Sequence, residues 1–263
     1  MNLNCWRAPI INPELLEILA PGFCAGLLVT AAHAPLGIEV LRRGIVFIDL
    51  ATAQVVGLAV ILSSLWLAEP LWIQHQAIAF GAGLAVAVFF RWIERVTPDE
   101  QEAVIGSCFI VASSLALLAL AGHPTGGEML RHVLSGQLLF VTWVDIAAFL
   151  PIYGIYLLLW LCAPRLRAGT GFFLLFALVI TASMQLVGVY VVFASLILPA
   201  LAARRGEGYS LVRALASGAI AVVVAILLAG LWDLPAGPFL VVCLAGSAVA
   251  TRLVYRWNRD LRS

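Results

Sequence analysis

The chain has 263 residues, 63% of them apolar and only 11% Asp, Glu, Lys or Arg, against roughly 45–50% and roughly 25% in soluble proteins. So few polar groups cannot cover a surface in water, so lipid must be the solvent; a soluble enzyme, a nucleic-acid binder and a disordered chain are excluded. The net charge of +1 gives no electrostatic handle on an acidic partner, and all fifteen basic residues are arginine.

A hydrocarbon core about 30 Å thick takes roughly 20 apolar residues per helix. Cutting the chain at its charged and Pro/Gly-rich punctuation predicts spans near 15–40, 46–68, 71–92, 102–121, 137–162 and 171–189, a short one near 190–203, then 210–232 and 236–256. The expected fold is therefore all-α, a polytopic bundle of about nine spans in a single domain, 1–263. The first span is not read as a signal peptide, because Arg7 is followed by Pro9 and Pro13 and the apolar run is long and ends in Leu41-Arg42-Arg43. The turn Arg95–Glu102 opens the fourth span with acidic residues, which suits a helix N-terminus. The connection 122–136 is the most polar, with His123, Glu128, Arg131 and His132. Five scattered cysteines without a CxxC pair read as small buried residues.

Arginine placement orients the bundle. With the N-terminus outside, thirteen arginines fall on the inner side and only Arg7 and Arg131 stay outside, so the C-terminus is cytoplasmic. Arg165/Arg167 and Arg204/Arg205 then share one side, and the thirty-odd residues between them must cross and return. Gly188 is the expected break, and a broken helix of this kind is tolerated only where it is buried in protein or lines a cavity.

Ionisable groups at membrane depth suggest function. The candidates are His33, Glu39, Asp49, Gln54, His75, Asp145 and Gln185. His33 lies about 13 Å along the axis from Arg42, and Gln54 lies at a similar depth on the returning helix. His33 reads either as a ligand or as a partner for the carbonyl freed by Pro35. Glu39 reads as an ion-pair partner of Arg42. Asp49 could pair with Arg42 or Arg43, but two apolar residues flank it on each side, which favours function. Gln54 and Gln185 suit interhelical hydrogen bonds as well as ligation. Asp145 sits beside Trp143 at the outer interface. Imidazole, carboxylate and amide oxygen together suit a borderline divalent cation such as Zn²⁺ or Mn²⁺, and a site with few ligands can release it.

Four blocks then resemble the membrane permease of bacterial ABC importers for zinc, manganese and related divalent metals. The first runs from Ala34-Pro35-Leu36-Gly37 through Val40-Leu41-Arg42-Arg43-Gly44 to Phe47-Ile48-Asp49-Leu50-Ala51. The second is Glu102-Ala103-Val104-Ile105-Gly106. The third is Leu134-Ser135-Gly136-Gln137-Leu138-Leu139 with Trp143. The fourth runs from Gln185-Leu186-Val187-Gly188-Val189 to Ser195-Leu196-Ile197-Leu198-Pro199-Ala200-Leu201-Ala202-Ala203-Arg204. The resemblance implies a permease in the bacterial plasma membrane that works as a homodimer. Two cytoplasmic ATP-binding subunits would lie below it and an extracellular or periplasmic metal-binding protein above. It implies that the transported metal passes Asp49, beside which the depth reading sets His33 and Gln54 as further metal ligands, that no cofactor is bound, and that the chain has no catalytic residues of its own. It also implies that Leu198, Pro199, Ala200, Ala203 and Arg204 couple the chain to the ATPase; read simply, the same segment is a positive-inside anchor. The family's common Gly-Asp-Ala-Leu-Ser-His is here Ile48-Asp49-Leu50-Ala51-Thr52-Ala53, so the aspartate is kept and the histidine position is Ala53. Gln54 and the facing His33 are the groups able to compensate.

Two other classes compete. A stand-alone secondary metal transporter would normally show repeat symmetry and ionisable pairs at the midplane. An intramembrane enzyme would need a nucleophile such as Ser107 paired with His33 or His75, and nothing in the spacing supports that geometry.

Overall fold

A computed structural model describes residues 13–67, 71–121, 123, 126–128, 130, 138–205, 208–232 and 234–260. Arg7, Cys5, most of the connection 122–136 with Arg131 and His132, and Arg262 lie outside the described residues.

The helices follow the apolar runs: α1 (Pro13–Arg43), α2 (Ile48–Trp66), α3 (Trp72–Val96), α4 (Gln101–Leu120), α5 (Trp143–Cys162), α6 (Gly169–Val187), α7 (Val189–Ala202), α8 (Leu211–Trp232) and α9 (Ala236–Asp260). All except α7 are long and apolar enough to cross a membrane. At 14 residues, α7 is only about 21 Å long. The chain is thus a multi-pass membrane protein. Its exposed large side chains are the expected lipid face, including Trp66, Leu118, Val144, Leu161 and Val212.

The start of the fifth span differs from the expected 137. Leu138–Phe140 forms a 3₁₀ turn, and the helix begins only at Trp143. Thr142 explains the boundary. Its hydroxyl accepts from the Asp145 N–H at 3.3 Å, and Asp145 accepts from the Thr142 N–H at 2.9 Å. This reciprocal cap fixes the helix start and occupies Asp145.

The break at Gly188 has a conformational cause. Its φ of +83° lies in the region that side chains disfavour, so α6 ends and α7 starts at a new angle without strain. The central pair is well covered: 72% of α6 is buried, against 22% of α4 and of the α9 span. α1 packs on α6, α7 and α8, α2 on α3, α4 and α6, and α9 on α7 and α8. Where α1 crosses α7, a Cβ on Gly37 would collide with the Leu196 carbonyl oxygen. No residue larger than glycine fits that crossing.

The arginine-rich end is tied by ion pairs. Arg43 donates from Nε to Glu39 at 2.9 Å, from Nη1 to Glu94 at 3.3 Å and from Nη2 to the Arg167 carbonyl at 2.9 Å, and its guanidinium lies 4.1 Å from the Phe172 ring centroid. One side chain thus joins α1, α3, the Pro164–Arg167 turn and α6. Glu39 also reaches Arg42 at 3.9 Å, the ion pair expected from their spacing.

Candidate functional site

Two polar centres lie in the bundle, at different depths. The deeper one surrounds His33, which is fully buried on α1. Its Nδ1 is 2.8 Å from the Ser195 hydroxyl on α7, and its Nε2 is 3.0 Å from the Ser183 hydroxyl on α6. Ser195 spends its own proton on the Val192 carbonyl at 3.1 Å, so it accepts from His33, and Nδ1 carries the hydrogen. In a neutral ring Nε2 then accepts from Ser183, which in turn accepts from the Tyr153 hydroxyl at 2.7 Å. The result is one directed chain, Tyr153 to Ser183 to His33 to Ser195 to Val192, with each donor and acceptor satisfied.

His33 therefore does not serve the carbonyl loosened by Pro35. The neighbouring carbonyl, that of Ala32, accepts from Tyr156 at 3.1 Å instead. Ser183 and Ser195 flank Gly188 on its two sides, so the imidazole bridges both limbs of the broken pair. The serines and Tyr153 are the residues that sequence reasoning missed. Each is a small or amphipathic residue in an apolar run, with no spacing that marks it; only the break between the serines could have drawn attention to them.

The second centre lies at the arginine-rich end. Asp49 occupies the first turn of α2, is fully buried, and has no side-chain partner for either oxygen among the described residues; the backbone N–H groups of its own turn, at Asp49 and Leu50, face it. The expected alternative, an ion pair with Arg42 or Arg43, is not formed: those arginines use Glu39 and Glu94. Gln54 is buried further along α2. The partners of His33 include neither Asp49 nor Gln54. Among the described residues no three His, Cys, Asp or Glu side chains gather into a metal-holding group.

The remaining candidates have structural partners. Gln185 accepts from Gln76 Nε2 at 2.9 Å across α3 and α6, as an interhelical bond. His75 lies 3.4 Å from Ser64. Ser107 donates to the Ala103 carbonyl of its own helix at 2.8 Å, which is not the pairing with His33 or His75 that a nucleophile would need. Cys24, Cys108, Cys162 and Cys243 are free thiols.

The segment Leu198–Arg204 divides by exposure. Pro199, Ala200 and Ala203 are buried, and the two alanines pack against Ala34, Ile38 and Ala214. Leu198 is half-buried and Arg204 exposed. Arg204–Arg205 then pairs antiparallel with Gly208–Tyr209, forming a short ribbon whose Tyr209 ring faces Arg42 at 5.6 Å.

The chain is 24% identical over 257 residues to the high-affinity zinc uptake system membrane protein ZnuB of Haemophilus influenzae, covering 88% of this chain and 95% of that protein. It is 26% identical over 140 residues to a probable iron transport system membrane protein of the same organism, covering 46% of this chain and 49% of that one. Its fold is similar to that in the structure of PsaBC from Streptococcus pneumoniae in complex with Fab, with a TM-score of 0.67, 22% identity, and coverage of 90% of this chain and 94% of that chain. The description of the ABC 3 transport family matches residues 15–165 and 162–254. With nearly the whole length matched and the broken α6–α7 pair in place, this multi-pass membrane protein belongs to the ABC 3 transport family.

Proposed function

We propose that the chain is the permease subunit of an ATP-driven importer of divalent metal ions, with ATP hydrolysed on a separate subunit. The observation that carries the reading is Asp49, a fully buried carboxylate with no side-chain partner among the described residues. Such a group is costly unless a cation or proton satisfies it, so it suits a passing metal better than a structural role. Asp49 would be the principal ligand, with His33 and Gln54 supplying imidazole and amide deeper in the bundle. For His33 to bind an ion it must release a serine, so metal passage and the angle of the α6–α7 break would be linked. A relative that takes up zinc and another described as a probable iron transporter support a metal cargo. The metal is cargo here, and the chain is read as needing no cofactor.

In this reading two copies form the pore, cytoplasmic ATP-binding subunits dock on the arginine-rich face, and a metal-binding protein delivers the ion from outside. The membrane is the bacterial plasma membrane, with the N-terminus outside and the C-terminus in the cytoplasm. Leu198 and Arg204 and the ribbon after them would touch the ATPase, while Pro199, Ala200 and Ala203 hold that edge in shape. The test is uptake of Zn²⁺ and Mn²⁺ into vesicles holding the chain with and without a co-expressed ATPase. Uptake that requires both ATP and the ATPase is expected. Gradient-driven uptake by the chain alone would overturn the proposal in favour of a secondary transporter.

A further inference from the structure

Two arginines of the α8–α9 pair, Arg213 and Arg252, meet no carboxylate among the described residues, whereas Arg42, Arg43 and Arg91 each do. Arg213 stands in the first turn of α8, where the positive helix end disfavours a cation, so the helix itself gives no reason for it. Its Nη1 is buried without a hydrogen-bond acceptor among the described residues, a costly state for a charged donor.

The two side chains are gathered around one ring. The Arg213 guanidinium lies 4.3 Å from the Tyr255 ring centroid. Tyr255 follows Arg252 by three residues and so shares its face of α9. Arg252 gives Nε to the Leu201 carbonyl at the end of α7 at 3.0 Å, which uses one of the five donors a guanidinium carries. The surroundings are apolar: Val212, Leu253 and Trp257 are all exposed. Exposed apolar side chains interleaved with arginines and aromatic rings place the cluster where hydrocarbon meets headgroups. A water-soluble partner would match the charges and leave that apolar flank bare. A phospholipid matches both, with acyl chains along Val212 and Leu253 and its phosphate at the guanidiniums.

We infer that Arg213 and Arg252, flanking Tyr255, hold the headgroup of an anionic phospholipid at the arginine-rich end of the α8–α9 pair. Two guanidiniums against one phosphate leave a positive excess, which favours a negative headgroup over a zwitterionic one, whose own ammonium is repelled. The inference is independent of what the chain transports.

The experiment is native mass spectrometry of the full chain, delipidated in detergent and titrated with phosphatidylglycerol or with phosphatidylcholine, so that each bound lipid is counted. The unaltered chain should take its first phosphatidylglycerol about tenfold more tightly than its first phosphatidylcholine. Arg213→Gln combined with Arg252→Gln should remove most of that preference. Arg213→Lys combined with Arg252→Lys should keep most of it, because an ammonium also binds phosphate. Arg165→Gln, at an exposed arginine of the same end but on the Pro164–Arg167 turn, should change nothing. Thermal midpoints accompany each variant, and the lysine pair decides the matter if the glutamine pair does not fold: loss of preference with both charges kept would overturn the inference. No preference in the unaltered chain, an unchanged one in the glutamine pair, or an equal loss in Arg165→Gln would overturn it too. A glutamine pair that keeps the lipid preference and instead loses self-association or ATPase binding would give the patch to a protein partner.

Discussion

Two arginines adjacent in sequence do different work. Arg42 is half-exposed, with a single 3.9 Å ion pair and the Tyr209 ring 5.6 Å away. Arg43 is mostly covered and makes three hydrogen bonds plus a stacking contact. Exposed pairs contribute about 0–1 kcal/mol, whereas a hydrogen-bonded charged group in a covered site contributes about 1.5–3 kcal/mol. Arg43→Ala should therefore lower the thermal midpoint clearly, and Arg42→Ala should leave it within error; equal midpoints would mean the four-way tie adds nothing. His33 is the other decisive residue. His33→Ala removes two buried hydrogen bonds and leaves Ser183 and Ser195 to find others, at a cost of about 1–3 kcal/mol. Reduced uptake together with a lower midpoint is the expected result. Reduced uptake with an unchanged midpoint would make His33 chiefly a ligand, and no change in either would make it packing.

The elements were largely legible in the sequence, because in lipid each long apolar run must become a helix that satisfies its own backbone. The span limits and the Gly188 break follow from that constraint. The start of α5 did not, since the run from 137 is apolar throughout and only the Thr142–Asp145 cap decides where the helix begins. The site was less legible. Depth arithmetic placed Asp49 and His33 inside the bundle. It could not show that His33 would be satisfied by hydroxyls or that the Glu102 carboxylate would accept the Phe47 N–H just before α2, because both depend on how distant helices face. At the break, Gly188→Ala holds a side chain at φ 83° and ψ 162°, a region almost restricted to glycine, at a cost of roughly 1–3 kcal/mol, and should slow uptake in vesicles holding the ATPase. Normal uptake would show that the angle between α6 and α7 is not used. At the other end of α7, Ala200→Leu has no room, because Ala200 is fully buried in a cluster with Ala34, Ile38 and Ala214. It should destabilise the chain by about 1–3 kcal/mol; a stable protein that hydrolyses ATP without transport would instead place Ala200 at the ATPase contact.

At the scale of the molecule, the proposed docking face depends on α6 and α7 together making one crossing and return. α7 alone is about 21 Å long, short of a hydrocarbon core of about 30 Å, so it reaches across only by joining the buried centre of the bundle. That arrangement brings the Pro164–Arg167 turn and the Arg204–Tyr209 ribbon to the face that holds Arg42 and Arg43, where an ATPase would dock. The direct measurement is impermeant thiol labelling of single cysteines introduced at Ala168 and at Ser210, in intact cells and in inverted vesicles, with and without the ATPase subunits. Both positions should label only from the cytoplasmic side, and the ATPase should protect Ser210→Cys. Labelling of the two from opposite sides of the membrane would contradict the broken pair and the docking face with it.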